Sequence, residues 1–284
     1  MLKRALILVL ALLLAPVPSA MATDFCDDAE AVMCITGNLD GGTGSAISDE
    51  TSFGHDGEFE GNSAWVAAYP TITDGGTYSM DFDGSSDDAT FGSPDDLDNI
   101  FSGDATVAHW VYVDAYGENS TGHTISKFAS STAGWKIMVD DTGSYGSNTK
   151  CINFTKQFSG GRRTWQTPTD SIAAGGWFHV AVVYNGSSSA NDPIIYIDGV
   201  SQSLDRFESA TGTDNTDASA TLYVGNSSDV NRSIDAKITQ LLVTKKLLSE
   251  SEVNDAMDNG INYVAGPGGG GGDAGGAIIV IEEN

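Results

Sequence analysis

The chain has 284 residues and carries 39 acidic side chains against 13 basic ones, a formal net charge of −26. So negative a surface cannot replace the counterions on phosphates, which excludes nucleic acid as a partner class. The same charge keeps the molecule soluble and supplies many carboxylates from which a calcium site can be drawn.

Residues 1–22 read as a signal peptide, with Met-Leu-Lys-Arg as a basic start, Ala5–Ala15 as an apolar run and Ala20-Met21-Ala22 as a small-x-small exit. That apolar run is too short to cross a bilayer and no other stretch is long enough. The expectation is a secreted or cell-surface protein that does not span the membrane. Cys26 and Cys34 are spaced to close a small disulfide outside the cell, leaving Cys151 over or paired with one of them. His55, His109, His123 and His179 show no zinc spacing.

Ala31–Ile35 and Trp65–Tyr69 are the first strand-like runs. Tyr78, Met80 and Phe82 alternate with Ser79, Asp81 and Asp83, and Asp87–Phe91 returns, the pattern of a hairpin with a solvated acidic loop. Thr106–Ala115, Thr124–Phe128 and Gly134–Asp141 predict further strands, with Ile152–Phe158 and Arg163–Gln166 weaker ones. Trp177–Tyr184 and Ile194–Ile197 are two β-rich runs flanking a polar loop; the first carries bulk on both faces, as a central strand requires, and Asp198-Gly199 after the second is a tight turn. Ala220–Gly225 and Ser233–Val243 complete roughly a dozen short strands, the spacing of a sandwich or barrel. One helix is signalled, by the capping box Ser249-Glu-Ser-Glu252, the Val253/Met257 pair and the Asn259-Gly260 stop. Residues 266–284 read as a tail, a polyglycine tether ending in Ile278–Ile281, which can add a strand to its own domain or to a neighbouring copy.

Several of these blocks, in this order, resemble the laminin-G-like, concanavalin A-like jelly rolls of secreted bacterial proteins. Gly42–Asp49 with Gly54–Phe59 resembles the family's opening, Tyr78–Phe91 its Phe-Asp-Gly hairpin, and Phe101–Val113 the following long strand. Gly176–Tyr184 with Ile194–Gly199 is the most specific pair, and Gly225-Asn226, Ile234–Ile238 and Leu247–Val253 close the pattern. The resemblance covers about Ala31 to Asp258. It departs at Cys34–Asp40, a poor copy of the aromatic opening strand, and at Ala236, where an acid is common. It implies that residues 23–265 form one all-β domain, a two-sheet antiparallel jelly-roll sandwich with a short C-terminal helix. Members are commonly glycan- or protein-binding modules, often with one calcium ion. For this chain the resemblance implies Asp49 and Asp235 as calcium ligands, helped by carbonyls from Ser52 to His55. On chemistry alone Asp83, Asp87 and Asp88 qualify equally, being three carboxylates in one glycine-containing loop.

Related jelly rolls include glycosidases and polysaccharide lyases, which need paired carboxylates or a base beside neutralising side chains. Glu58-Phe-Glu60 lacks the third acid of the glucanase pattern, and Arg162-Arg163 with Gln166 has no His or Tyr nearby in sequence. A sugar-binding surface needs aromatic faces among polar groups, and Trp65, Tyr116, Tyr145 and Trp165 lie in or beside polar loops. Trp135 and Trp177 read as core, His179 as a hydrogen-bonded histidine just outside it. The leading expectation is a secreted, non-catalytic binding or adhesion module for a glycan or a cell-surface protein. The alternatives are a structural subunit of an extracellular layer, appendage or particle, self-associating through the tail, and then a polysaccharide-degrading enzyme.

Overall fold

A computed structural model describes residues 24–262 apart from 75, 130, 131, 209, 210 and 230. The signal-peptide reading of residues 1–22 and the tail at 266–284 lie outside the described residues.

Alternating apolar residues build two antiparallel sheets. The first runs, in spatial order, Val200–Ser201, Ile194–Ile197, Gly176–Asn185, Asp104–Ala115, Asp235–Thr244, Ser79–Asp83 and Ala64–Val66, with Ala31–Ile35 also paired to Asp235–Thr244. The second runs Asp205–Phe207, Gly161–Gln166, Cys151–Phe158, Ala133–Asp140, His123–Ala129, Tyr223–Val224, Asp88–Thr90, Gly57–Glu60 and Ala46–Ile47. Val107, Val111, Val180 and Val182 of the first sheet share one buried cluster with Trp135, Ile137, Phe154 and Trp165 of the second. Trp135 meets Phe101 edge-on, with ring centroids 4.9 Å apart.

Gly176–Asn185 is central, flanked by Asp104–Ala115 and Ile194–Ile197. The turn after that pair has positive φ at both Asp198 and Gly199, 48° and 73°, as the twist of a two-residue hairpin loop demands. On Asp235–Thr244 the pairing with Asp104–Ala115 shifts between Thr239 and Leu242, a bulge with Gln240 at φ 52°. The extra residue flips the alternation. Ala236 and Ile238 face the core before the bulge, and Leu241 and Val243 face it afterwards.

Part of the outer face of the first sheet is covered. The helix Glu250–Asn259 starts at Ser249 with both halves of the capping box formed. It buries Val253 and Ala256 in a second apolar cluster with Ala108, Ala181 and Leu242. Met257 is only half-buried, so the helix docks through a pair three apart rather than the expected Val253/Met257 pair. Cys26 and Cys34 form a disulfide that ties the first described residues to this layer. Cys151 is free and buried, its thiol pushed up to about 12 by burial and by the nearby Asp140 and Asp141 charges.

Two expectations are corrected. Ser79–Asp83 lies in the first sheet and Asp88–Thr90 in the second, so residues 84–87 form a corner between sheets, not a hairpin loop. Period-two alternation is the same for both, because each strand has one inward face wherever its partner lies. Trp177 is not core. It is half-buried on the outer face, edge-on to Tyr112 at 5.6 Å.

Candidate functional site

Where the edges of the two sheets approach one another, Gln202 to Leu204 carries the chain from one edge strand to the other, and a cleft of about 660 Å³ opens. Tyr196, Ser201 and Ile194 form the first-sheet side, and Trp165, Arg206 and Asp192 the other. Asp192 is the only carboxylate in this lining. It accepts a 2.7 Å bond from Trp165 Nε1 and a fork from Arg206 Nη2. Burial pushes its pKa up, but the Arg206 and Trp165 bonds outweigh this and hold it below the usual carboxylate range. Arg206 and Asp192 thus present paired rather than free charges to the cleft. Among the described residues, the exposed large apolar side chains include Val200 and Phe207, on the edge strands of the two sheets, and Ile194, on the strand next to the first of these.

The sequence-predicted aromatics are dispersed. Trp165 lines the cleft, but its ring is buried, stacked 5.5 Å from Phe154, so it supplies backing rather than an open platform. Trp65 is also buried, on a strand, edge-on to Phe59 with Nε1 bonded to the Ala46 carbonyl. Both sit among polar residues in sequence, yet strand alternation turns them inward. Tyr116 is half-buried against the core. Tyr145 lines a second, smaller pocket on the outer face of the second sheet. Tyr196, Gln202, Asp192 and Arg206 escaped sequence reading, because nothing local marks two edge strands of different sheets as neighbours.

The predicted calcium ligands do not assemble. Each Asp49 carboxylate oxygen already accepts two bonds, Oδ1 from the Cys34 and Thr51 amides and Oδ2 from Thr51 Oγ1 and the His55 amide. All four lone-pair sites are used, so Asp49 acts as a loop clasp. Asp87 is likewise committed, to the Asn62 amide at 2.7 Å and the Asp83 amide at 2.8 Å. Asp83 and Asp235 sit opposite each other across two strands. Asp88 is buried with one oxygen unpartnered, its pKa pushed up to about 6 by burial and by the charges of Glu60 and Asp87. Among the described residues no three acidic, His or Cys side chains converge as a metal-binding group. Asp49 and Asp87 thus spend their oxygens on the fold's own donors, whereas Asp88 keeps one oxygen unpartnered.

His179 makes no hydrogen bond through either ring nitrogen, contrary to expectation. Arg162 pairs with Glu208, while Arg163 is buried, donating to the Ser189 carbonyl beside the Trp165 ring. Glu58 and Glu60 are exposed on the Gly57–Glu60 strand.

The family model for the concanavalin A-like lectin/glucanases superfamily, of laminin G type, matches residues 83–254, and the chain belongs to that superfamily. Its fold is similar to the binding domain of Paraclostridial Mosquitocidal Protein 1, with a TM-score of 0.59 and 15% identity over 80% of this chain and 52% of that one. The botulinum neurotoxin serotype D binding domain matches with a TM-score of 0.56 and 15% identity, over 80% and 51%. Domain 4 of AbnA, a GH43 extracellular arabinanase from Geobacillus stearothermophilus in complex with arabinotriose, matches with a TM-score of 0.54 and 17% identity, over 80% and 97%. This chain thus spans about half the length of the toxin binding domains and, at these identities, shares their fold. A search of curated proteins found no match. No helix among the described residues is long and apolar enough to cross a membrane.

Proposed function

We infer that this chain is a secreted, non-catalytic module that binds carbohydrate in the side cleft. The observation that carries the reading is the cleft's wall chemistry. Apolar Ile194 and Leu204 and the Tyr196 ring stand beside Ser201, Gln202 and the Asp192/Arg206 pair, the mixture a sugar's faces and hydroxyls require. The single carboxylate is locked to Arg206 and Trp165, so the cleft offers no acid and base pair across a scissile bond. A sugar-bound relative of this fold makes arabinan oligosaccharides the first probes.

The test is calorimetric titration of the protein with arabinotriose and a panel of neutral oligosaccharides. Saturable binding is expected, weakened by at least about tenfold, or 1.4 kcal/mol, in Arg206→Met and Gln202→Ala. Affinity unchanged in both variants would reject the cleft. Release of reducing ends from any bound oligosaccharide would reject the non-catalytic reading.

A further inference from the structure

A second pocket, of about 330 Å³, opens on the outer face of the second sheet and shares no lining residue with the side cleft. Lys136 and His123 project into it from neighbouring strands, Tyr145 folds over from the following loop, and Ser227 and Arg232 come from the segment after Tyr223–Val224. Lys136 Nζ lies 3.4 Å from the Tyr145 hydroxyl, 3.4 Å from His123 Nε2 and 4.6 Å from the Tyr145 ring centroid.

Burying an ammonium costs several kcal/mol unless an anion accompanies it. This chain supplies that anion elsewhere. Lys127 is buried against Asp98 at 2.9 Å and Asp217 at 3.6 Å, and Lys156 against Asp214 at 2.9 Å. Lys136 is equally buried, at 5% exposure, yet among the described residues no carboxylate lies within ion-pair distance of it. Among the described residues it is the one buried lysine of three without such a pair.

The other groups sharpen the deficit. Burial and the Lys136 and Arg232 charges hold the His123 imidazole well below its usual pKa, so it stays neutral and offsets neither cation. Burial and repulsion from Arg162 and Arg232 lower the Lys136 pKa although Tyr145 partly compensates. Ser227 Oγ and His123 Nδ1 are buried without hydrogen-bond partners. Asp229, the acidic residue of the lining, is exposed and makes no ion pair with Lys136 or Arg232. What is missing is one negative charge with acceptor oxygens.

We propose that this pocket binds a sugar bearing a single negative charge, a uronate carboxylate or a sulfate ester, seated on Lys136 and Arg232. Ser227, Ser228 and Asn231 supply partners for the ring hydroxyls. A multiply charged ligand would be opposed by the net charge of −26.

The test titrates the full chain with glucuronate, galactose 6-sulfate and glucose, by calorimetry and thermal unfolding. One or both anionic sugars should bind saturably and raise Tm, with glucose weaker by at least about tenfold. Which anion binds names the source of the charge. Lys136→Met keeps the stem and removes an unpaired buried charge, so it should fold at least as stably as the parent. Both it and Arg232→Gln should lose about tenfold or more in affinity for the anion, while the side-cleft variant Arg206→Met should bind it unchanged. The proposal is overturned if neither anion binds, if glucose binds equally, if folded Lys136→Met keeps full affinity, or if Arg206→Met alone abolishes binding.

Discussion

His109 and His179 are wholly buried, one sharing the core face with Val107 and Val111, the other beside Trp110 on the covered outer face. No ring nitrogen of either has a partner, and burial lowers both pKa values to about 3, the His179 charge adding to the effect at His109. The unfolded chain takes up these protons near pH 6.5, whereas the folded chain resists them down to about pH 3. The contribution to stability is therefore complete above pH 6.5 and is lost as pH falls from there, at roughly 1.4 kcal/mol per pH unit for each residue. Urea midpoints measured between pH 7.5 and 4.5 should show this slope. His109→Leu should raise the midpoint at pH 7 by the equivalent of about 1 to 3 kcal/mol, by removing two unpaired polar atoms, and should flatten the acid limb. That His109 shares a face with Val107, Val111 and Val113 was visible in the strand alternation. That it has no partner there was not, because partners come from distant strands.

At the scale of elements, the most local signals carried furthest. The capping box at Ser249 depends on four consecutive residues, and it forms in full, with Ser249 Oγ accepting from the Glu252 amide and the Glu252 carboxylate accepting from the Ser249 amide. Ser249→Ala should cost about 1 kcal/mol, read as a lower urea midpoint with an unchanged slope. The Asp198-Gly199 turn was legible for the same reason. The corner at residues 84–87 was not, since whether a strand returns beside its predecessor or crosses to the facing sheet is decided by the other strands. Ile152–Phe158 and Arg163–Gln166 looked weak because their outward residues are polar. Yet Asn153, Thr155, Thr164 and Gln166 are buried and hydrogen-bonded, Thr155 to Thr164 at 2.8 Å and Gln166 to Asn153 at 3.0 Å.

For the whole molecule, the carboxylates of Asp49 and Asp87 bind the fold's own amides, Asp83 and Asp235 face one another, and among the described residues no three acids converge as a metal-binding group. Chelation with EDTA is accordingly expected to leave Tm unchanged, and a calcium titration to give no saturable heat; a rise in Tm with calcium would show that these side chains rearrange to bind it. The sequence by itself determined the all-β class, the central strand Gly176–Asn185, the helix and the acid excess. These rest on nearest-neighbour stereochemistry, alternation and composition, which are properties of short segments. Tertiary structure alone decided which tryptophans are buried, which edge strands border one cleft, and that Lys136 is buried without the carboxylate given to Lys127 and Lys156. Each of those is a relation between residues far apart in the chain, set by how two sheets close around a shared core.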